Sequence, residues 1–373
     1  MYKTMYSEEH YKRLLYAAAI TQLPGIGLRT ARRIVARFGN AEGFFKDVSK
    51  AKKTEQKFAP SDLKQALIWA ERELEQAVKH NISVIDMLDP NFPRRLNACD
   101  DSPLILFYKG AMDLNTSRTV AVVGTRKASN YGHRCVESVM QTLKTFDCTL
   151  ISGLAVGIDT AAHKSAEQLG IQNIGVLAHG LDRIYPHENK NLATKMALNG
   201  GILSEFPVGT KPEKNNFPMR NRIIAGLADA TVVVEAGTSG GALITANIAS
   251  SYNRDVFAFP GRISDDRSSG CNRLILSHRA AILSQSDDLA FYMGWDVPTK
   301  KTVEPLHFAM LNEDEKSVIE LIKEGRSHLD QMLQEKHWQH YHLSALLLGL
   351  EFKNIIKPLP GNVWALCDAA YKS

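Results

Sequence analysis

The stretch TVAVVGTR at residues 119–126 decides the fold. Its five apolar or β-branched residues predict a strand buried on both faces, and Gly124 predicts a tight turn after it. Five similar runs follow, at residues 149–151, 174–177, 202–204, 231–234 and 256–259. Amphipathic helical stretches separate several of these runs. Such alternation predicts an α/β fold, a Rossmann-like doubly wound parallel sheet with helices on both faces.

The length of 373 residues exceeds what one hydrophobic core usually organises. Residues 1–80 have helical periodicity, and Pro60 with Ser61 as the cap predicts one helix start; we expect a small helix-hairpin-helix or SAM-like domain here. The Rossmann-like domain should span residues 81–297. Residues 305–373 contain three short helical segments and then a hairpin. This is the order of elements in a winged-helix domain. Asn312 and Glu315 predict a capping box at the first of these helices.

Composition limits the function classes. No apolar run is long enough for a membrane span and no secretory signal begins the chain, so we expect a cytoplasmic protein. Five scattered cysteines predict neither a disulfide framework nor a zinc site, and no metal spacing is present. The net charge of +5 is too small to identify a partner. Its distribution is uneven, because residues 1–80 hold 15 Lys and Arg against 9 Asp and Glu, whereas residues 304–373 hold 7 against 10.

Gly25 and Gly27 flank one apolar residue in front of a helical segment rich in arginine. This pattern predicts a tight hairpin whose backbone amides meet a phosphate oxygen at the helix N-terminus. It is typical of the helix-hairpin-helix module of nucleic-acid proteins. A hairpin that only packs against its neighbours has the same sequence, so both interpretations stay open.

Gly124, Thr125 and Arg126 follow the first strand, at the edge where open α/β sheets bind their ligands. The pattern differs from the dinucleotide fingerprint, and no acidic residue ends a second strand about 20 residues on, so no dinucleotide cofactor is predicted. An arginine in this turn would obstruct a buried pyrophosphate but can grip an exposed phosphate with two hydrogen bonds.

Two further segments carry candidate site residues. Ser152 and Gly153 end the next strand, and Asp159 and His163 follow four residues apart on one helical face. That spacing permits a catalytic Asp-His pair, but no nucleophile accompanies it, and a structural role is favoured. The segment at residues 214–224 places three cations beside Phe217, which is typical of strand binding with base stacking. The alternative is that Phe217 is core and the arginines pair with acidic residues.

Together these segments resemble the DNA-processing protein family known as DprA or Smf, with ordered matches from about Asp89 to Leu283. The resemblance implies single-stranded DNA binding, loading of the RecA recombinase during natural transformation, a homodimer, no cofactor and no catalytic turnover. His187 stands where a lysine is frequent, and Gly240 where a serine is usual. The residues expected to contact DNA are Gly124, Thr125, Arg126, Ser152, Gly153, His187, Lys214, Phe217, Arg220 and Asn221, with Gly25 and Gly27 in the N-terminal module.

Two alternatives belong to other functional classes. Related Rossmann-like families hydrolyse the glycosidic bond of nucleoside monophosphates with a glutamate near a Pro-Gly-Gly loop. Glu235 and the glycine-rich turn at residues 237–241 are loosely similar to that site, but the Pro-Gly-Gly triplet is absent. The other alternative is a recombination scaffold that does not contact DNA.

Overall fold

The computed structural model describes residues 7–48, 58–295, 311–353, 355–359 and 362–366. The chain divides into two compact units, residues 1–297 and residues 298–373. Among the described residues, no helix combines the length and the apolar composition needed to cross a membrane.

In the described part of the chain, the first unit begins with four helices and continues as an alternation of strands and helices. Its N-terminal helices are α1 (Glu8–Ile20), α2 (Leu28–Phe38), α3 (Ala41–Lys46) and α4 (Pro60–Lys79). Its strands are β1 (Ser83–Asp86), β2 (Ile105–Lys109), β3 (Thr119–Val123), β4 (Thr149–Ser152), β5 (Asn173–Val176), β6 (Gly200–Ser204), β7 (Ala230–Val233), β8 (Asp255–Ala258) and β9 (Ala281–Ile282). The remaining helices are α5 (Arg94–Asn97), α6 (Asn130–Thr145), α7 (Ile158–Leu169), α8 (Lys190–Met196), α9 (Asn216–Leu227), α10 (Gly241–Ser251), α11 (Ser269–Leu276) and α12 (Asp288–Tyr292), with a 3₁₀ turn at His187–Asn189.

The nine strands form one sheet in the order β1-β2-β6-β5-β4-β3-β7-β8-β9. The pairings from β6 to β9 are parallel, and β1 and β2 add antiparallel pairs at one edge. All five residues of β3 are buried, as the apolar run predicts. The Rossmann-like parallel sheet is therefore confirmed. After β3 the chain moves outward through β4, β5 and β6 and then returns to β7 on the other side of β3. The gap between β3 and β7 is thus the topological switch point, where open α/β sheets bind ligands.

The N-terminal helices share their buried side chains with the strands. Leu14 of α1 and Leu74 of α4 lie in the same apolar cluster as Val84 of β1 and Phe107 of β2. On the surface of this cluster, Arg13 donates to the buried Asp86 carboxylate at 2.6 Å. The boundary expected near residue 80 falls inside this packed cluster, and the separate N-terminal domain stays a prediction.

The start of α4 differs in one detail from the expectation. The prediction of Ser61 as the cap is wrong, because the helix begins at Pro60 and Ala59 takes the cap position. The Asp62 carboxylate instead accepts a hydrogen bond from the Ala59 amide at 3.2 Å. Proline is favoured in the first turn because its missing N–H would have no helical partner there.

Among its described residues, the second unit has three helices followed by a hairpin, in the order that was predicted. These elements are α13 (Glu313–Lys323), α14 (Leu329–Lys336), α15 (His340–Phe352), β10 (Ile356–Leu359) and β11 (Val363–Leu366). The capping box is confirmed, since Asn312 Oδ1 accepts from the Glu315 amide at 2.8 Å and Glu315 Oε2 accepts from the Asn312 amide at 3.1 Å. The assignment as a winged helix remains a proposal, and the interdomain segment at residues 296–304 lies outside the described residues.

An ion pair inside the first unit links α9 to the segment after β6. Arg222 donates to the Glu205 carboxylate and to the Asp101 carbonyl, and both side chains of the pair are 7% exposed. Burial raises the pKa of Glu205, and the positive charge of Arg222 opposes that rise. Arg222 is therefore structural. This agrees with the interpretation in which the arginines of residues 214–224 pair with acidic residues.

We expect Arg222→Ala to lower the free energy of unfolding by about 3–5 kcal/mol, because it leaves the Glu205 carboxylate buried without a counter-charge. Urea titration followed by circular dichroism measures the change. The matched control is the double variant Arg222→Ala/Glu205→Gln, which removes the buried charge and should recover part of the loss. A single-variant loss under about 1 kcal/mol would contradict the structural role.

Candidate functional site

Two adjacent cavities lie over the carboxyl ends of the strands around the switch point. The larger, which we call the loop cavity, measures about 430 Å³ and lies over β3 and β7. The smaller, which we call the ring cavity, measures about 240 Å³ and lies over β4 and β5. Both are lined by Arg126, Ala155, Phe217 and Arg220. These shared residues form the ridge between the cavities.

The loop cavity is built from two turns that follow parallel strands. Gly124, Thr125 and Arg126 come from the end of β3, and the glycine-rich segment 237–241 comes from the end of β7 and leads into α10. Gly240 caps that helix with φ 146°, a conformation that favours glycine. The Ile244 amide donates to the Gly240 carbonyl in the first turn of the helix. The backbone amides that precede Ile244 in this turn have no intrahelical acceptor. Such amides and the helix dipole favour an anion.

The ridge places a cation and a ring at the surface. Arg126 is exposed and Phe217 is half-buried. The guanidinium carbon of Arg126 lies 5.6 Å from the centre of the Phe217 ring, and that of Arg220 lies 5.9 Å from it. The Tyr185 ring, 49% exposed, has its centre 6.3 Å from that of Phe217. A charge and two rings therefore meet at one edge of the sheet.

Arg220 braces this ridge from below. It is 5% exposed, and its Nη1 donates to the carbonyls of Gly153 at 2.6 Å and Val176 at 2.5 Å, which lie at the ends of β4 and β5. Burial lowers the pKa of Arg220 to about 10, although the nearby Asp159 carboxylate opposes the shift. The group is thus charged at neutral pH, but its hydrogen bonds are directed into the protein.

Other expected contact residues lie behind the surface. Ser152 is fully buried and donates to the Val122 carbonyl at 2.6 Å. Asn221 is 6% exposed and donates to the Gly241 carbonyl at 3.1 Å. A Cβ at Gly153 would lie 2.7 Å from Arg220 Nη1. In this structure the three residues support the cavity walls, and of them only Asn221 and Gly153 line a cavity.

The remaining predicted residues lie apart from the two cavities. Lys214 is exposed just before α9 and lines neither of them. His187 is exposed and lines a third cavity beside Lys109 and Lys190. Gly25 has φ 72° and Gly27 caps α2, so the predicted turn before that helix is present.

Several lining residues were not among the predicted site residues. Lys127 lines the loop cavity. Because it directly follows Arg126 in the sequence, it could have been predicted as a second cation of the same turn. Tyr185, His179 and Glu188 line the ring cavity. They come from the segment after β5, and nothing in their spacing indicates that it folds over the end of β4.

Glu235 does not supply an acid to either cavity. It is fully buried, and its carboxylate accepts from the Ser129 amide at 2.9 Å and from the Ser129 hydroxyl at 2.5 Å. Ser129 in turn caps α6. The carboxylate that the hydrolase alternative needs is therefore used in hydrogen bonds to the residue that caps α6. This geometry does not favour that alternative.

Asp159 and His163 do not form a hydrogen-bonded pair. His163 is fully buried; its Nδ1 lies 2.5 Å from Asn173 Oδ1, and its Nε2 accepts from the Leu154 amide at 3.3 Å. Asp159 accepts instead from the Ala155 amide at 3.4 Å, and burial raises its pKa to about 6. These contacts support the structural interpretation of the pair, although Asp159 also lines the loop cavity.

His163 predicts a pH dependence of stability. Burial lowers the pKa of His163 to about 4, below about 6.5 for an unfolded histidine, so its contribution is complete above pH 6.5 and is lost as the pH falls to 4. We expect the difference in unfolding free energy between wild type and His163→Gln to shrink by about 2–3 kcal/mol over that window. Denaturant titrations at matched pH measure it, and the comparison cancels the opposite effect of Asp159. A constant difference would show that His163 does not titrate this way.

Comparison with known proteins places the chain among DNA-processing proteins. The family model described as DNA recombination-mediator protein A matches residues 83–293. Protein Smf of Synechocystis is 42% identical over 221 residues, which are 58% of this chain and 56% of that protein. The chain thus spans little more than half the length of that relative.

Two solved structures are similar over much of this chain. DNA processing protein A of Streptococcus pneumoniae is 34% identical, with a TM-score of 0.65 over 74% of this chain and 97% of that one. DNA processing protein A of Helicobacter pylori is 27% identical, with a TM-score of 0.53 over 58% of this chain and 97% of that one. The latter structure concerns that protein's single-stranded DNA binding mode.

Proposed function

Because this chain belongs to the DNA recombination-mediator protein A family, we propose that it binds single-stranded DNA along the two cavities and loads a RecA recombinase onto that DNA. The observation that carries the proposal is the exposed Arg126 packed 5.6 Å from the Phe217 ring, between the two cavities at the switch point. Strand binding without sequence preference requires this combination of a cation for the backbone and a ring for base stacking.

The loop cavity supplies the phosphate-binding part of the proposal. Arg126 and Lys127 stand on one side of it, and the start of α10 stands on the other. Arg220, although its donors are used internally, adds positive charge from below the ridge. A phosphate here would meet cations, free helical amides and the helix dipole together. Because the Glu235 carboxylate is bonded to Ser129, it is not available to the hydrolase alternative, and we propose binding without turnover.

We infer a supporting DNA contact at the N-terminal helices. Arg29, Arg33 and Arg37 are exposed and follow one another at four-residue spacing along α2. Arg32 lies on another face, where it donates to the Asn97 side chain at 3.1 Å and to the Asn97 carbonyl at 2.6 Å. Three exposed arginines on one face beside Gly27 can neutralise a phosphate backbone. Their exposure favours that role over packing against a neighbouring helix.

The proposal extends to a homodimer acting in the cytoplasm during DNA uptake. The two-residue strand β9 forms one edge of the sheet. Beside this edge Leu276 is 83% exposed and Ile282 is 40% exposed. These apolar side chains support pairing of two copies through the Rossmann-like unit.

We expect Arg126→Ala to weaken binding of single-stranded DNA about ten- to hundredfold, because a charge-assisted hydrogen bond contributes about 1.5–3 kcal/mol. The slope of log affinity against log salt should fall by about 0.7 for each phosphate that the variant no longer neutralises. Fluorescence anisotropy with a labelled oligonucleotide at several salt concentrations measures both quantities.

Lys144→Ala is the matched control for that experiment. Lys144 is exposed in the last turn of α6, about 20 Å along the helix from its start, so the same charge is removed far from the ridge. Its affinity should change less than twofold. Equal effects of the two substitutions, or none from Arg126→Ala in a folded protein, would remove Arg126 from the binding site.

We propose that the C-terminal unit contacts proteins and does not read duplex DNA. A helix that enters a DNA groove needs a positive face, yet α15 exposes Tyr341, Leu348 and Phe352, and α13 begins with three acidic residues. A protein of residues 1–300 should therefore bind single-stranded DNA within a few-fold of the full chain at neutral pH. Titrating both proteins against one oligonucleotide tests this, and a loss of tenfold or more would mean that the C-terminal unit holds DNA.

A further inference from the structure

We propose that the ring cavity receives a single nucleobase by its amino-bearing edge, while Arg126 and the loop cavity hold the adjoining phosphate. This inference rests on the proposed function and adds a preference among bases to it. The ring cavity differs from the loop cavity in size, in its walls and in the kind of polar group that it offers.

The size and the walls suit one flat ring system. The ring cavity measures about 240 Å³, below the roughly 300–1,000 Å³ of sites for drug-sized ligands. Tyr185, Pro186 and Phe217 line it, and the two aromatic rings are inclined at 55° with their centres 6.3 Å apart. Val156, 41% exposed, adds an aliphatic wall. Aromatic and apolar walls of this kind hold bases that leave the stack.

His179 gives the cavity a hydrogen-bond acceptor of fixed orientation. It is 1% exposed, and its Nδ1 lies 2.9 Å from the Gly180 carbonyl oxygen. Because a carbonyl only accepts, Nδ1 carries the proton of the neutral ring and Nε2 presents a lone pair. Nε2 is itself buried in the wall of the cavity and, among the described residues, has no hydrogen-bond partner.

The surroundings of His179 keep the ring in that neutral form. Burial lowers the pKa of His179, and the carbonyls of Gly180 and Tyr185 only partly oppose the shift. In the neutral form the Nε2 lone pair is an acceptor that a ligand donor would satisfy.

The carboxylate of Glu188 adds a second acceptor to this cavity. Glu188 is exposed at the rim and, when ionised, accepts hydrogen bonds only. The cations at this cavity are confined to the ridge, since Arg126 and Arg220 flank Phe217 and are shared with the loop cavity. The acceptors of His179 and Glu188 repel a phosphate and attract N–H groups.

The chemistry of these acceptors selects among bases. Cytosine, adenine and guanine present an exocyclic amino group, and carboxylates accept from the cytosine amino group in known readout. Thymine presents a single N–H between two carbonyl oxygens, which would face the acceptors of His179 and Glu188. The ring cavity should therefore favour an amino-bearing base over thymine.

The experiment compares homo-oligonucleotides of thymidine and of 5-methylcytidine, which match in shape and in the methyl group and differ in the paired edge. We expect the full-length protein to bind the 5-methylcytidine oligomer about three- to tenfold more tightly, since one neutral hydrogen bond contributes about 0.5–1.5 kcal/mol. Equal affinities would overturn the inference and would mean that the cavity holds water or any base alike.

Substitutions at the two acceptors assign the preference to the cavity. Glu188→Ala should reduce the ratio of the two affinities, because it removes an acceptor for the 5-methylcytidine amino group and relieves the repulsion of the thymidine carbonyl oxygens. His179→Asn keeps a donor toward Gly180 but removes the acceptor at Nε2 and should reduce the ratio further, whereas His179→Gln should restore part of it. If the His179 variants do not fold, Glu188→Ala alone decides. A ratio that survives every folded variant would come from the DNA itself and would overturn the inference.

Arg126→Ala separates this inference from the proposed function. It should weaken both oligomers by the same factor and leave their ratio unchanged. A ratio of one in the wild type, with both oligomers weakened by Arg126→Ala, overturns the base preference and leaves the DNA site in place. No weakening by Arg126→Ala overturns the DNA site itself, and the base assignment then falls with it.

Discussion

The guanidinium of Arg220, buried under the carboxyl edge of the sheet, is the interaction on which the site depends. It joins the ends of β4 and β5 through the carbonyls of Gly153 and Val176, and it supports the Phe217 ring from within. A Cβ at residue 153 would lie 2.7 Å from both Arg220 Nη1 and Asp159 Oδ2, so only glycine leaves room for this contact. The two cavities therefore keep their relative positions because one buried cation fixes the strand ends between them.

Much of this architecture could be predicted from the sequence. Continuous apolar runs such as residues 119–123 mark buried parallel strands, because a strand covered on both faces needs apolar side chains at every position. The capping box of Asn312 and Glu315 was equally readable, since its two partners lie within one helical turn of each other along the chain. The cap of α4 was not, because Ser61 and Asp62 are both suitable residues and only the backbone decides which one accepts.

The residue types of the site could be predicted from the sequence. Which of them face a ligand and which support the site from inside the protein could not. Arg126 and Arg220 both lie beside Phe217, yet Arg126 is exposed whereas Arg220 is buried, with 5% of its surface exposed. Spacing along the chain cannot separate them, since the difference arises from hydrogen bonds between α9 and strand ends that lie 44 and 67 residues away in sequence. The ring cavity escaped prediction for the same reason, because it depends on a loop after β5 covering the end of β4.

This division changes how substitutions at the ridge are to be interpreted. For Arg220 to reach a phosphate directly, it would have to release the Gly153 and Val176 carbonyls, and each buried group left unsatisfied costs about 1–3 kcal/mol. That cost is comparable to what a new charge-assisted hydrogen bond contributes, so nothing is gained by the exchange. Arg126 is exposed and packs against the Phe217 ring, and it has no such hydrogen bonds to the described residues that it would have to give up. Weaker DNA binding on replacing Arg220 would therefore report a displaced ridge, whereas the same weakening at Arg126 would report the absence of the cation that faces the phosphate.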